Sequence, residues 1–234
     1  MRRLLAVILV FTALICCAGD VVRLAERAYS SGEWARAQAL YMLATDAPHP
    51  DAVPYGRAIV AALMNGDTTA TSPMLEKALK SGIPFDSVLE VIEQSSMSLG
   101  KGGMYVGELH RIAAELPYLR RPVDARLLSY YTFRSDPDNI IRYSQALLRG
   151  MPDAPEWLNS LAYGYMLAGD NDSAAATWRR VLEVDPDNYD ALLNLGNMLL
   201  ATDRQAAMPL LKRACDLRPT DYLRRLTAND PRKK

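Results

Sequence analysis

Apolar residues recur at helical spacing along most of the chain, and the breaks between the apolar runs recur with them. In 155–188, PEWLNSLAYGYMLAGDNDSAAATWRRVLEVDPDN, the residues Trp157, Leu161, Ala162 and Tyr165 share one helical face. The polar turn Gly169-Asp170-Asn171-Asp172 follows, then Ala174, Trp178 and Val181 restore the pattern until Asp185-Pro186 stops it. The spacing predicts two helices, and the Gly and Asx residues between them supply the chemistry of a tight turn. Ala162 and Ala174 are small where two antiparallel helices must approach closely.

The same punctuation runs through the chain. Turn-forming residues stand at Gly32, Gly66, Gly100, Ser135, Gly169 and Asp203, and terminating prolines at Pro48, Pro84, Pro117, Pro152, Pro186 and Pro219. Two independent marks holding one period of about 34 residues predict an array of like units rather than a single layered core. The unit at 155–188 resembles the tetratricopeptide repeat, a helix–turn–helix of 34 residues with small residues at its close-packed positions and a final proline. The resemblance implies an all-α fold, a right-handed superhelical α-solenoid of about six repeats. The expected units are 20–49, 51–83, 85–117, 122–152, 155–188 and 189–219, with a short capping helix at 221–228 and a polar tail at 229–234. Such an array is stabilised by the interfaces between neighbouring repeats.

Local signals refine the helix starts. Ser72-Pro73 and Ser135-Asp136-Pro137 each read as a cap followed by proline in the first helical turn. Gly100-Lys101-Gly102-Gly103 follows a helical run and lacks the ending of a phosphate-binding loop, so it reads as a turn. Leu24, Ala25 and Ala28 are expected on the inner stripe of the first helix, and Cys215 as a small buried residue of the last repeat.

Charge changes the picture by exclusion. The 234 residues carry no formal net charge, and their arginines are scattered, which removes the basic footprint of a nucleic-acid binder. At the start, Met1-Arg2-Arg3 and the apolar run Leu4 to Ile15 form a secretory-type address, expected to occupy 1–19. Three outcomes stay open: lipidation at Cys17 (or Cys16), cleavage after Ala18, or retention as an anchor, although the run is short of the about 20 residues of a bilayer span. Each places the array outside the cytoplasm, membrane-associated or periplasmic in a bacterium.

Catalytic constellations are missing from the sequence. The two histidines, His49 and His110, have no metal-ligand spacing to cysteine or carboxylate partners, and no nucleophile elbow occurs. The expectation is a non-enzymatic protein with no cofactor and no metal. In tetratricopeptide arrays the first helix of each pair lines a concave groove. Carried onto this chain, that pattern selects Glu26, Tyr29, Val60 and Met64, then Glu90, Gln94, Met97, Ser129 and Phe133, then Asn159, Tyr163, Met166, Asn194, Asn197 and Leu200. No lysine accompanies Asn159, Asn194 and Asn197, which argues against a clamp for a terminal carboxylate. The resemblance therefore implies an interaction scaffold of the cell envelope that binds a protein segment in its groove. The alternative is capture of a glycan or peptide there, with Tyr163, Trp157 and Tyr165 as stacking surfaces. After the last repeat only 221–228 remains as a cap, which leaves a terminal face for a partner or a second copy of the chain.

Overall fold

The structure is a computed structural model that describes residues 19–47 and 51–228. Cys16, Cys17, Pro48, His49 and the tail lie outside the described residues. The described residues form thirteen α-helices and no strand. They divide into two compact units, 1–117 and 118–234.

Unit 1 holds α1 (described over 19–30), α2 (Trp34–Ala44), α3 (Ala52–Met64), α4 (Thr71–Lys80), α5 (Phe85–Ser98) and α6 (Gly102–Glu115). Unit 2 holds α7 (Arg120–Phe133), α8 (Pro137–Leu148), α9 (Pro155–Leu167), α10 (Asn171–Val184), α11 (Tyr189–Leu199), α12 (Arg204–Leu217) and α13 (Asp221–Ala228). Each unit is thus a set of helix–turn–helix pairs, and α13 stands alone at the end of the second.

Five of the six turns between paired helices share one backbone solution. Gly32, Gly66, Gly100, Gly169 and Ser135 all have positive φ. In each case the next amide closes back on a carbonyl five residues upstream, as Asp170 does on Tyr165 (2.9 Å) and Asp136 on Tyr131 (3.0 Å). This is the C-terminal cap that satisfies the last carbonyls of a helix and favours glycine at the left-handed residue. The sixth turn differs. Asp203 has φ of −144° and instead caps α12, its side chain accepting from the amide of Ala206 (2.9 Å).

Two sequence expectations need correction here. Gly102 and Gly103 lie in the first turn of α6, not in a loop, because the left-handed Gly100 alone completes the reversal. Ser72 is not a cap: a 3₁₀ turn, Thr68–Ala70, runs directly into α4, and the Ser72 hydroxyl donates to Glu115 of α6. At Asp136-Pro137 the cap is as expected, Asp136 accepting from the amide of Asn139 with proline at the first helical position.

The second helix of several pairs reaches back to the preceding pair through a cation at equivalent positions. Lys77 binds Asp46 (2.6 Å) and Thr45 (2.7 Å), Arg180 binds Asp153 (2.7 Å) and the carbonyl of Pro152 (2.9 Å), and Arg213 forks onto Asp187 with two bonds of 2.7 Å. Beneath these surface links lies apolar packing. Trp178 is fully buried among Leu158, Ala162, Ala174, Val181, Ala191 and Leu195. Glycines set the closest approaches: a Cβ on Gly164 would meet Ile140 at 2.9 Å, and one on Gly196 would meet Leu211 at 2.7 Å. α13 closes the end of unit 2, burying Leu223 against Leu192, Ala207, Leu211 and Ala214 while Arg224 and Arg225 stay exposed. Cys215 is half-buried at the edge of that cluster, less enclosed than expected.

Candidate partner-binding surface

The residues singled out for a groove stand at equivalent places on the first helix of each pair: Glu26, Val60, Gln94, Ser129, Tyr163 and Asn197 follow one another at the repeat spacing. The two units treat that position differently.

In unit 1 it is largely occupied by the protein itself. Val60 is completely buried, which overturns its placement on an open groove. The cause is Gly56, one turn earlier on α3: its missing side chain lets α5 approach until a Cβ there would lie 2.6 Å from Val91. Glu26 is tied up in an ion pair with Arg57, whose guanidinium also donates to the Tyr41 hydroxyl (3.2 Å). Tyr29 lies edge-on to Trp34 and Tyr41 with the Arg57 guanidinium 5.6 Å from its ring centre. Burial pushes the hydroxyls of Tyr29 and Tyr41 up from the ordinary tyrosine range. These groups form an internal network. On α5, Glu90 and Gln94 are exposed, and the Gln94 amide donates to the Glu90 carboxylate (3.1 Å).

In unit 2 the equivalent positions remain open. Ser129 on α7 is exposed, and Phe133 one turn later is 91% exposed. Tyr163 on α9 is half-buried and Asn197 on α11 is exposed. Asn197 does not stand alone. Its Oδ1 accepts a hydrogen bond from the Tyr222 hydroxyl of α13 (2.8 Å), so α13 adds an aromatic ring, itself 48% exposed, to the same face. Sequence reasoning treated α13 only as a cap and missed Tyr222, although a tyrosine on an otherwise polar two-turn helix was a visible signal.

Three selected residues are committed elsewhere, at least in part. Asn159 donates to Asn188 (2.9 Å), and Asn188 caps α11 by accepting from the amide of Ala191 (3.1 Å), so Asn159 ties α9 to the start of α11. Met166 packs against the cluster around Trp178, as does Tyr165, whose hydroxyl accepts from Gln145 (3.3 Å). Asn194 is half-buried. What unit 2 presents is therefore a short row, Ser129 with Phe133, then Tyr163, then Asn197 with Tyr222. A row of rings and amides on rigid helices suits an extended or helical polypeptide. Among the described residues no cluster of His, Cys, Asp or Glu could hold a metal ion, and no helix is long and apolar enough to cross a membrane.

Comparison with known proteins agrees with the fold. The family model described as tetratricopeptide repeat matches residues 161–222. Among solved structures, MamA 41-end from Desulfovibrio magneticus RS-1 is similar at a TM-score of 0.50 and 14% identity, over 74% of this chain and 99% of that one. The MamA RS-1 ArsTM double mutant gives 0.50 and 14%, over 78% and 100%. The APC/C hetero-tetramer Cut9–Hcn1 gives 0.50 and 12%, over 93% of this chain and 45% of that one. At these identities the likeness is one of fold.

Proposed function

We propose that this chain, a tetratricopeptide-repeat protein, is an exported adaptor that holds a segment of a partner protein against the open face of unit 2. The repeat fold supports an interaction scaffold. The observation that carries the finer reading is the row at one repeat position, exposed Ser129 and Asn197 with half-buried Tyr163 between them, extended by Phe133 and Tyr222. Rigid helices fix the spacing of these groups before any partner arrives, so little ordering entropy is lost on their side of the contact. The aromatic members supply apolar area, and the hydroxyl and amides set the alignment of the bound backbone. Support for work in the cell envelope comes from the secretory-type start, through which the array would be attached to the membrane.

A photo-crosslinking amino acid at Tyr163, in the native host, tests the proposal. Arg180, engaged with Asp153 on α10, is the control position. One discrete protein adduct specific to Tyr163 is the expected outcome and would identify the partner. Equal labelling at both positions, or none at Tyr163, would remove the open face of unit 2 from consideration.

A further inference from the structure

The start of unit 1 exposes apolar side chains at positions that are enclosed in the other pairs. Leu24 of α1 is 43% exposed, whereas its counterparts Ala58, Ile92, Leu161 and Leu195 are all buried. Leu43 of α2 is 56% exposed. Its counterparts Lys77 and Arg180 are the cations that reach back to the preceding pair, and Arg213 does the same from the last. Both leucines therefore sit on the face where a preceding pair would stack. Leu24 lies midway along the described part of α1 and Leu43 in the last turn of α2, and the Tyr29–Tyr41 ring contact (6.0 Å) shows the two helices running alongside each other. The last pair of unit 2 is treated otherwise, since α13 covers Leu192 and Leu211 and turns Arg224 and Arg225 outward.

The sequence says what this face meets. The apolar run ending at Ile15 is separated from the first described residue of α1, Gly19, by Cys16, Cys17 and Ala18 alone. Four residue steps span at most about 14 Å. A membrane-held run, or a lipid on Cys17, thus keeps the start of α1 at the level of the lipid headgroups, with Leu43 in the last turn of α2 and Leu24 between one and two turns along α1. We propose that the α1–α2 end face is a membrane-contact surface, with Leu24 and Leu43 seated at the boundary between headgroups and acyl chains. Of the neighbouring cations, Arg23 and Arg36 are paired with Asp20 and Glu33, and Arg27, one turn beyond Leu24, is exposed beside the apolar contact.

This inference rests on the membrane attachment proposed above, and one experiment separates the two. The full chain is made in a bacterial host with a photo-crosslinking residue at Leu24, at Leu43, or at Ala35, an exposed residue at the start of α2. Membranes are isolated, irradiated, and the adducts identified by mass spectrometry. Phospholipid adducts at Leu24 and Leu43, several times the yield at Ala35, are expected. Equal yields at all three positions, or protein adducts at Leu24 and Leu43 from a second copy or a partner, would overturn the end-face contact. So would the absence of any adduct. A chain that stays out of the membrane fraction would overturn the attachment itself, whereas a chain found there without lipid adducts would overturn only the contact.

Discussion

The same repeat position meets different environments along the chain: filled on α3, engaged on α1, and exposed on α5 of unit 1 as on α7 and α11 of unit 2. On α3 the position is Val60, sealed because Gly56 lets α5 close over it. On α9 and α11 it is Tyr163 and Asn197, which reach the surface; one turn earlier stand Asn159 and Leu193 instead of glycine. On α3 the filled position goes with the close approach of α5 at Gly56, whereas on α1 an ion pair with Arg57 occupies it. The repeat pattern fixes which way a residue points, and the neighbour's volume fixes whether anything is left to point into. It follows that the binding capacity of such an array is not spread evenly over its repeats.

The largest expected effect comes from refilling the gap. Gly56→Leu places carbon atoms where Val91 and the carbonyl of Val88 already lie. Overpacking of this kind costs roughly 1–3 kcal/mol, because the helices must separate or the side chains leave their preferred rotamers. Urea unfolding should show that loss, and hydrogen exchange should rise along α3 around Val60. Unchanged protection of α3 would mean that Gly56 does not control the closure. In unit 2 the corresponding test is Asn159→Gly, which should move α9 and α11 no closer, since their spacing is also held by Leu158 and Leu195 around Trp178.

A second contrast lies on the other helix of each pair. Glu108 of α6 is buried where the equivalent residue of α8 is Tyr143, a ring stacked on Tyr131 at 5.7 Å. Burial pushes the Glu108 carboxyl up, against the lowering pull of Thr71 and Arg111. The folded chain therefore holds this proton at pH values where the unfolded chain has lost it. Stability of unit 1 should rise as pH falls through the folded-state pKa, and the cost of the ionised group is full above it. Glu108→Gln should relieve about 1 kcal/mol at neutral pH, with the gain shrinking towards the ordinary carboxylate range. Unfolding curves across pH check the sign: a variant that tracks the parent at every pH would show that the carboxyl is not strained.

Much of this was legible in the sequence, and the limits have a physical pattern. Glycine every 34 residues marks the left-handed caps because few other residues adopt that conformation cheaply, so the helix pairs and the all-α class follow from punctuation alone. The direction of Ser129, Tyr163 and Asn197 follows from the same period. Depth does not. Val60 disappears because of a contact with α5, Met166 because the cluster around Trp178 extends to it, and Asn159 because it is linked to the cap of α11. Each depends on a neighbour about 29 to 35 residues away or on how closely two helices approach, and helical periodicity carries no information about that distance. Tyr222 was missed for the related reason that α13 belongs to no complete pair.

The smallest expected effect tests the turn at which unit 2 makes the left-handed reversal without glycine. Ser135 has φ of 52°, where unit 1 uses Gly32, Gly66 and Gly100 for the same reversal. A side chain there costs roughly 1–2 kcal/mol of backbone strain. Glycine removes the strain, but it also enlarges the unfolded ensemble at a cost of about 0.5–1 kcal/mol. The difference leaves Ser135→Gly more stable by about 0.5 kcal/mol, since both effects act on this residue and the amide closures of Ser135 on Thr132 (3.0 Å) and Asp136 on Tyr131 (3.0 Å) need no side chain. Asp136 would still cap α8 through Asn139, so no second helix start is disturbed. The reverse change, Gly100→Ser, should destabilise unit 1 by a similar amount, as nothing lies within 4 Å of a Cβ there and backbone strain alone remains. Urea midpoints of both variants check the pair. Opposite shifts of like size would show that the turn is set by backbone conformation in both units, whereas a loss in both would assign Ser135 a contact of its own.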